Sequence, residues 1–179
     1  MNKDYSIGEA AAATVLLGAQ QLIYKFVYVL PPTRAAALAP VDVGISSKAT
    51  TYVQAAILKY NTNFSGVGSF STASPLKVHA VACAGGKGCE RVQLYVLAPV
   101  LANGWTLLGE TTKVVTVSAQ RIAAVATTKD SVSLTARGSA GERVQMAFLS
   151  PAKAVVLVSC SVFETGFVRM TAAGDCQQV

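Results

Sequence analysis

Alternation of apolar and polar residues is the clearest pattern in this sequence. Within Arg91–Leu97, Val92, Leu94 and Val96 occupy every second position, with polar or amphipathic residues between them. The segment 131–135 repeats the pattern, with small hydroxyl residues opposite two apolar ones. Successive side chains of a β-strand point to opposite faces of the sheet, so this alternation predicts half-buried strands.

Short apolar segments of this kind recur between turn signals such as Asn103-Gly104 and Ser150-Pro151. Many short strands at such spacing predict an all-β, antiparallel domain of the β-sandwich or jelly-roll type. No crossover helices lie between them, which excludes a parallel α/β sheet. The predicted strands are Val41–Ser46, Thr51–Tyr60, Val67–Ser71, Lys77–Ala84, Arg91–Leu97, Thr106–Leu108, Lys113–Val117, Arg121–Thr127, Ser131–Arg137, Arg143–Leu149, Ala154–Val162 and Phe167–Ala172.

The N-terminal segment has a different pattern, which predicts one helix over residues 7–23. Ser6 and Glu9 have the spacing of a capping box, and an alanine run follows them. The apolar residues that follow at roughly helical spacing include Val15, Leu16, Leu22 and Ile23. The aromatic and β-branched Phe26–Leu30 predicts a strand that ends at Pro31-Pro32. We therefore expect one domain over residues 1–179, with a helical arm (1–24) followed by a β-sandwich (25–179).

The composition adds an excess of apolar residues to this picture. Of the 179 residues, 52% are hydrophobic and only 13% are charged, and the mean hydropathy is +0.45. One domain of this length buries a core of its own. The surplus apolar surface has to be covered by a partner, a membrane or another copy of the chain. We therefore expect a homo-oligomer whose contacts come from the helix face formed by Val15, Leu16, Leu22 and Ile23.

The chain is mildly basic, with a formal net charge of +6. The basic residues are scattered singly along the predicted strands and turns, and there is no arginine-rich arm. Nucleic acid would therefore bind only weakly and non-specifically. The first candidates for binding any anion are Lys87, Arg91 and Arg121.

Four cysteines allow two short-range disulfides. Cys83 and Cys89 bracket a glycine-rich turn, and Cys160 and Cys176 lie near the C-terminus. Free buried cysteines are the alternative, so the sequence leaves the compartment open. Neither spacing matches a zinc or redox motif, and we predict no metal and no cofactor.

No set of residues with the spacing of a catalytic site is present. The single histidine, His79, precedes Cys83 by four residues, which on a strand separates the two by about 13 Å. There is no G-x-S-x-G nucleophile motif, and the glycines around Lys87 lack the context of a phosphate-binding loop. Most carboxylates fall at predicted turns, where we expect them to be exposed to solvent. No two of them have a spacing that indicates a catalytic pair. We predict that the protein is not an enzyme.

Three functions are consistent with these features. The first is a structural protein that self-assembles, such as a coat, capsid or filament subunit of a virion or an extracellular assembly. The alternative is an accessory carbohydrate-binding β-sandwich module, in which Trp105 stacks on a sugar ring. The weakest is a membrane-anchored β-domain using residues 7–30, because charged and amide residues interrupt that segment.

Overall fold

The computed structural model describes residues 10–18, 21–29, 35–46, 51–58, 63–78 and 93–179. These residues form an all-β, antiparallel structure, as the alternation predicts. Their longest helix is the 3-10 turn Pro40–Val43. The strands are β1 Ala10–Leu17, β2 Leu22–Val29, β3 Ala36–Leu38, β4 Tyr52–Leu58, β5 Asn63–Phe70, β6 Leu76–Val78, β7 Gln93–Pro99, β8 Thr106–Glu110, β9 Ile122–Thr127, β10 Val132–Arg137, β11 Arg143–Leu149, β12 Val155–Ser161, β13 Phe167–Thr171 and β14 Cys176–Gln177.

The largest sheet has five strands in the order β1-β2-β7-β4-β5, so β1 and β5 are its two edges. β3 and β6 form a separate antiparallel pair. The C-terminal strands form two more sheets, a four-stranded one with the order β14-β13-β10-β9 and a three-stranded one with the order β12-β11-β8. Strands that follow one another in the chain are often direct neighbours here, as short antiparallel connections allow.

The main apolar cluster is shared by the five-stranded sheet and both C-terminal sheets. Phe26 and Val96 contribute to it from the large sheet, and Phe148 and Met170 from the two smaller ones. β8 is buried at every position, so its residues, which include the polar Thr106 and Glu110, do not alternate between buried and exposed. A second cluster, with Val27, Leu38 and Phe70 among its members, fills the space between the large sheet and the β3–β6 pair.

The predicted N-terminal helix is wrong. Residues 10–17 and 22–29 are strands that pair antiparallel without a register shift, so that Leu16 lies opposite Ile23 and Leu17 opposite Leu22. Gly18 and Gln21 close the connection with positive φ angles, which the glycine adopts without strain. Pairing of β2 with β7 in the large sheet outweighs the helix propensity of the alanine run. Ser6 and Glu9, the predicted cap, lie outside the described residues.

Two of the predicted strands are also wrong. Within residues 41–46 the chain forms the end of the 3-10 turn, which Gly44 terminates in a left-handed conformation. Residues 113–117 belong to the irregular connection between β8 and β9. By contrast, the prediction of Arg143–Leu149 agrees with β11 at both ends. Most other predicted strands differ from the observed ones by a few residues at their ends, and the part of Lys77–Ala84 beyond Val78 lies outside the described residues.

A disulfide joins the two C-terminal sheets. Cys160 of β12 is bonded to Cys176 of β14, with their Cα atoms 5.8 Å apart. Cys160 is buried, whereas Cys176 is exposed on a strand of only two residues. The bond therefore holds the short, exposed end of one sheet against β12, an edge strand of the other.

Replacing both of these cysteines by alanine should lower the free energy of unfolding by about 3 kcal/mol, because the cross-link restricts the unfolded chain. The measurement is urea unfolding followed by circular dichroism, with the exposed neighbour Ser161→Ala as the control. An unchanged midpoint in the double variant would show that the cross-link itself does not stabilise the fold.

Candidate functional site

The described residues contain one cluster of paired charges, which lies where three connections meet. Glu110 is the last residue of β8, Arg121 directly precedes β9, and Glu142 directly precedes β11. We call these three side chains the Arg121 cluster. The chain brings them together only through the topology of the two C-terminal sheets, because β8 pairs with β11 and β9 pairs with β10.

Arg121 uses every nitrogen of its guanidinium group. Its Nε donates to Glu110 Oε2 at 2.9 Å, and its Nη2 donates to Glu142 Oε1 in a short ion pair. Its Nη1 donates to the backbone carbonyl of Arg137. Gly138 lies directly beside this arrangement, and a Cβ there would approach Arg121 Nη1 to 2.7 Å. The missing side chain leaves room for the guanidinium group to reach both carboxylates.

The exposed fraction of the side chains in the Arg121 cluster increases from Glu110 to Arg121 to Glu142. The side chain of Glu110 is 3% exposed, that of Arg121 15% and that of Glu142 33%. A buried carboxylate is tolerated only with a close counter-charge and hydrogen bonds. Glu110 has both, since Thr112 Oγ1 donates to its other oxygen at 3.2 Å.

The same contacts determine the protonation of Glu142. The hydrogen bond from Arg121 is the main cause that lowers the pKa of this carboxyl to about 2, and the backbone N–H of Ser139 adds to the effect. In turn, the hydrogen bond to Glu142 is the main cause that raises the pKa of Arg121. A carboxyl held ionised near neutral pH has no proton to donate, so Glu142 is unsuited to act as a general acid.

The connection between β8 and β9 folds back closely onto β8. The backbone N–H of Glu110 donates to the Thr116 carbonyl at 2.6 Å, and Thr116 Oγ1 donates to the Leu108 carbonyl at 2.7 Å. Gly109, with φ at +107°, lies at the closest approach of the two segments. This return of the chain places Arg121 beside Glu110.

An open cleft of about 480 Å³ lies over the Arg121 cluster. Its walls include the exposed Lys113 and Arg137 and two adjacent valines, Val114 and Val115. The valines are 44% and 41% exposed, unusually high for neighbouring aliphatic residues. The guanidinium carbon of Arg137 lies 5.7 Å from the centre of the Phe167 ring, an arrangement that holds this cation in place.

Trp105, the predicted glycan-stacking residue, is half-buried and contacts the main apolar cluster. Its Nε1 donates to the Asp130 carbonyl at 3.0 Å. The neighbouring Asn103 donates through Nδ2 to the carbonyls of Thr128 and Ser131, both at 2.8 Å. The indole N–H thus fastens the β7–β8 connection to the β9–β10 turn.

The structure brings few of the other predicted site residues together. Of the three predicted anion ligands, Arg121 is paired with two carboxylates, whereas Lys87 and Arg91 lie outside the described residues. His79, Cys83 and Cys89 lie outside them as well. Among the residues that are described, no group of three or more side chains of the types that bind metals comes together. The described part of the chain also has no helix long and apolar enough to span a membrane.

The residues predicted to form assembly contacts lie on the β1–β2 hairpin and not on a helix. Leu16 and Ile23 face each other across the two strands, and they are 49% and 41% exposed. Val15 and Leu22 are half-buried and contact the main apolar cluster. The four residues therefore divide into an exposed pair and a pair that supports the fold.

Sequence reasoning overlooked Glu110 and Glu142, which it treated as solvated turn charges. One signal for Glu110 is present in the sequence, since a single glycine separates it from the apolar pair Leu107-Leu108.

No protein-family model, curated protein or solved structure matches this chain.

Proposed function

We propose that this chain is a non-enzymatic structural protein that self-assembles, and that β1 is the strand through which two copies join. The observation that carries the proposal is that β1 is an open, uncharged edge of the largest sheet. Ala10–Leu17 contains no charged residue, no glycine and no proline. Such an edge presents unpaired backbone groups to another strand, and proteins that stay monomeric usually protect it.

Exposure along β1 supports this role. Ala12, Ala13 and Thr14 are exposed in succession. Because neighbouring side chains of a strand point to opposite faces, three exposed residues in a row mean that neither face is covered there by described residues. From Ala12 to Leu17, the part of β1 whose side chains are described, Leu17 alone is fully buried. A strand that is mostly alanine and aliphatic, and open on both faces, is suited to burial against a second chain.

Other edges carry features that disturb pairing and that β1 lacks. β9, an uncharged edge of the four-stranded sheet, pairs with β10 through a register shift. At the opposite edge of the large sheet, β5 contains Gly66 with φ at +59° and pairs with β4 through a register shift. Both features bend an edge and disturb its pairing. β12, an uncharged edge of the three-stranded sheet, is held to β14 by the Cys160–Cys176 disulfide.

Two copies of β1 would pair antiparallel about a two-fold axis and continue the five-stranded sheet into a second copy. Leu16 and Ile23 would then lie at the joint, where burying a side chain of this size is worth about 1.5–3 kcal/mol. This contact is self-complementary and closes after two chains. A coat or filament would need a second, different contact surface.

The test compares oligomeric state by light scattering on the size-exclusion eluate, with absorbance recorded at 260 and 280 nm. We expect the natural chain to elute at a multiple of its mass and the variant Leu16→Lys/Ile23→Lys to elute as a monomer, because the two lysines place like charges at the joint. The matched control is Val155→Lys/Leu157→Lys on β12, whose natural residues are 39% and 44% exposed.

The control should retain the oligomer, and circular dichroism should show that both variants are folded. A natural chain that is monomeric at about 100 µM, a concentration near which weak specific dimers associate, would defeat the proposal. So would loss of the oligomer in the control alone. Excess absorbance at 260 nm in the oligomer would indicate a coat that contains nucleic acid.

A further inference from the structure

The cleft over the Arg121 cluster has features that self-association through β1 does not use. It lies on the C-terminal sheets, and its walls combine two free cations with an aliphatic patch. Binding sites typically combine an apolar surface with a few polar groups held in fixed positions. We propose that this cleft binds an acidic peptide segment that carries an aliphatic side chain.

The charge of the cleft favours an anionic ligand. Three cations lie around it, namely Lys113, Arg121 and Arg137. Two carboxylates, those of Glu110 and Glu142, lie near them. Both carboxylates are hydrogen-bonded to Arg121, and Glu142 also interacts electrostatically with Lys113 without a direct ion pair. Among the described residues, Lys113 and Arg137 make no direct ion pair, and both are exposed. They are therefore the cations available to a ligand carboxylate.

The floor of the cleft is rigid. Arg121 joins the ends of β8 and β10 and the start of β11 through its hydrogen bonds to Glu110, Arg137 and Glu142. Arg137 in turn is held over the Phe167 ring. Positions fixed in this way lose little freedom when a ligand binds, which favours affinity.

The apolar wall favours a peptide over an anionic sugar. Val114 and Val115 are aliphatic, and the described residues that line the cleft include no aromatic ring on which a sugar or a base could stack. Their exposed surface is suited instead to a leucine or valine side chain of the ligand. An acidic residue beside an aliphatic one thus matches both the cations and the wall.

The experiment titrates the natural chain with a fluorescein-labelled peptide, Asp-Leu-Glu-Val-Asp, and measures anisotropy at low salt. Two further peptides carry Asn and Gln in place of the acids, or Ser in place of Leu and Val. Both should bind more weakly than the first peptide, since each lacks one of the two matching features. Removing the cations in Lys113→Gln/Arg137→Gln should weaken binding of the first peptide about tenfold, because each exposed charge pair contributes up to roughly 1 kcal/mol.

The matched control is Lys77→Gln/Lys129→Gln, which removes two exposed cations that do not line the cleft. It should leave the affinity nearly unchanged. An equal loss in the control would overturn the proposal, since attraction would then depend only on net charge. Absence of binding at about 1 mM peptide, the weak limit of specific recognition, would also overturn the proposal. So would oligogalacturonate that binds more tightly than the peptide and displaces it.

Discussion

Replacing Arg121 by methionine is expected to lower the free energy of unfolding by about 3–5 kcal/mol. Methionine retains much of the aliphatic length of arginine but removes the charge. It leaves the buried carboxylate of Glu110 without the cation that lies 2.9 Å from it. The measurement is the urea midpoint and its slope, read by circular dichroism at pH 7.

The double variant Arg121→Met/Glu110→Gln is the control for this prediction. Removing the buried charge together with its partner should restore most of the lost stability, because an uncompensated carboxylate is what destabilises the single variant. If the double variant is as unstable as Arg121→Met, or less stable, then packing of the arginine side chain and not charge compensation holds the cluster together.

The Arg121 cluster also predicts that the stability of the fold decreases at acidic pH. Because the folded pKa of Glu142 is lowered to about 2 from its usual 4.5, the stability it provides is complete above pH 4.5 and is lost as the pH falls toward 2. Glu142 is one-third exposed, so solvent limits this contribution to about 1 kcal/mol. The natural chain should lose stability over this range, and Glu142→Gln should lose about 1 kcal/mol less. Parallel pH profiles of the two proteins would contradict the assignment.

Gly109→Ala is expected to destabilise the fold by about 3 kcal/mol or more. The backbone φ of +107° is unfavourable for alanine, and a Cβ would lie 2.6 Å from the Thr116 carbonyl carbon and 2.7 Å from Val117 Cγ2. The Thr116 carbonyl cannot move away without breaking its hydrogen bond to the Glu110 N–H. Backbone strain of about 1 kcal/mol and overpacking of about 1–3 kcal/mol therefore act together.

Gly141→Ala separates these two causes. Gly141 also has a positive φ, +78°, but nothing lies within 4 Å of the position that its Cβ would occupy. This variant should lose only the strain component of about 1 kcal/mol. Thermal unfolding of both variants tests the difference. If both variants lose the same stability, then glycine is required at position 109 for its backbone conformation and not because the β8–β9 connection approaches β8 closely.

The all-β, antiparallel character of the fold could be predicted because alternation along a strand is a local property. Arg143–Leu149 alternates over most of its length and ends in turn residues, and β11 has the same bounds. The segment 10–17 has no such alternation, and its alanines are compatible with a helix. Its conformation depends on pairing with β2, which in turn depends on β7, a strand far away in sequence.

The candidate site could be predicted only in part, because its contacts are long-range. Arg121 was one of three cations named from the sequence as anion-binding candidates, yet its carboxylate partners are 11 and 21 residues away along the chain. Only the topology of the two C-terminal sheets places them within hydrogen-bond distance. Trp105 shows the same limit, since its indole N–H is bonded to a turn 25 residues further along.

The Cys160–Cys176 bond makes the C-terminal edge of the protein sensitive to its surroundings. β14 is only two residues long, and Cys176 is exposed, so a reductant reaches this bond more readily than the buried strands around it. Reducing conditions, like those of the cytosol, would release the end of the four-stranded sheet. An oxidising compartment would keep it attached. Preparation of the chain under oxidising conditions is therefore part of preserving its native surface.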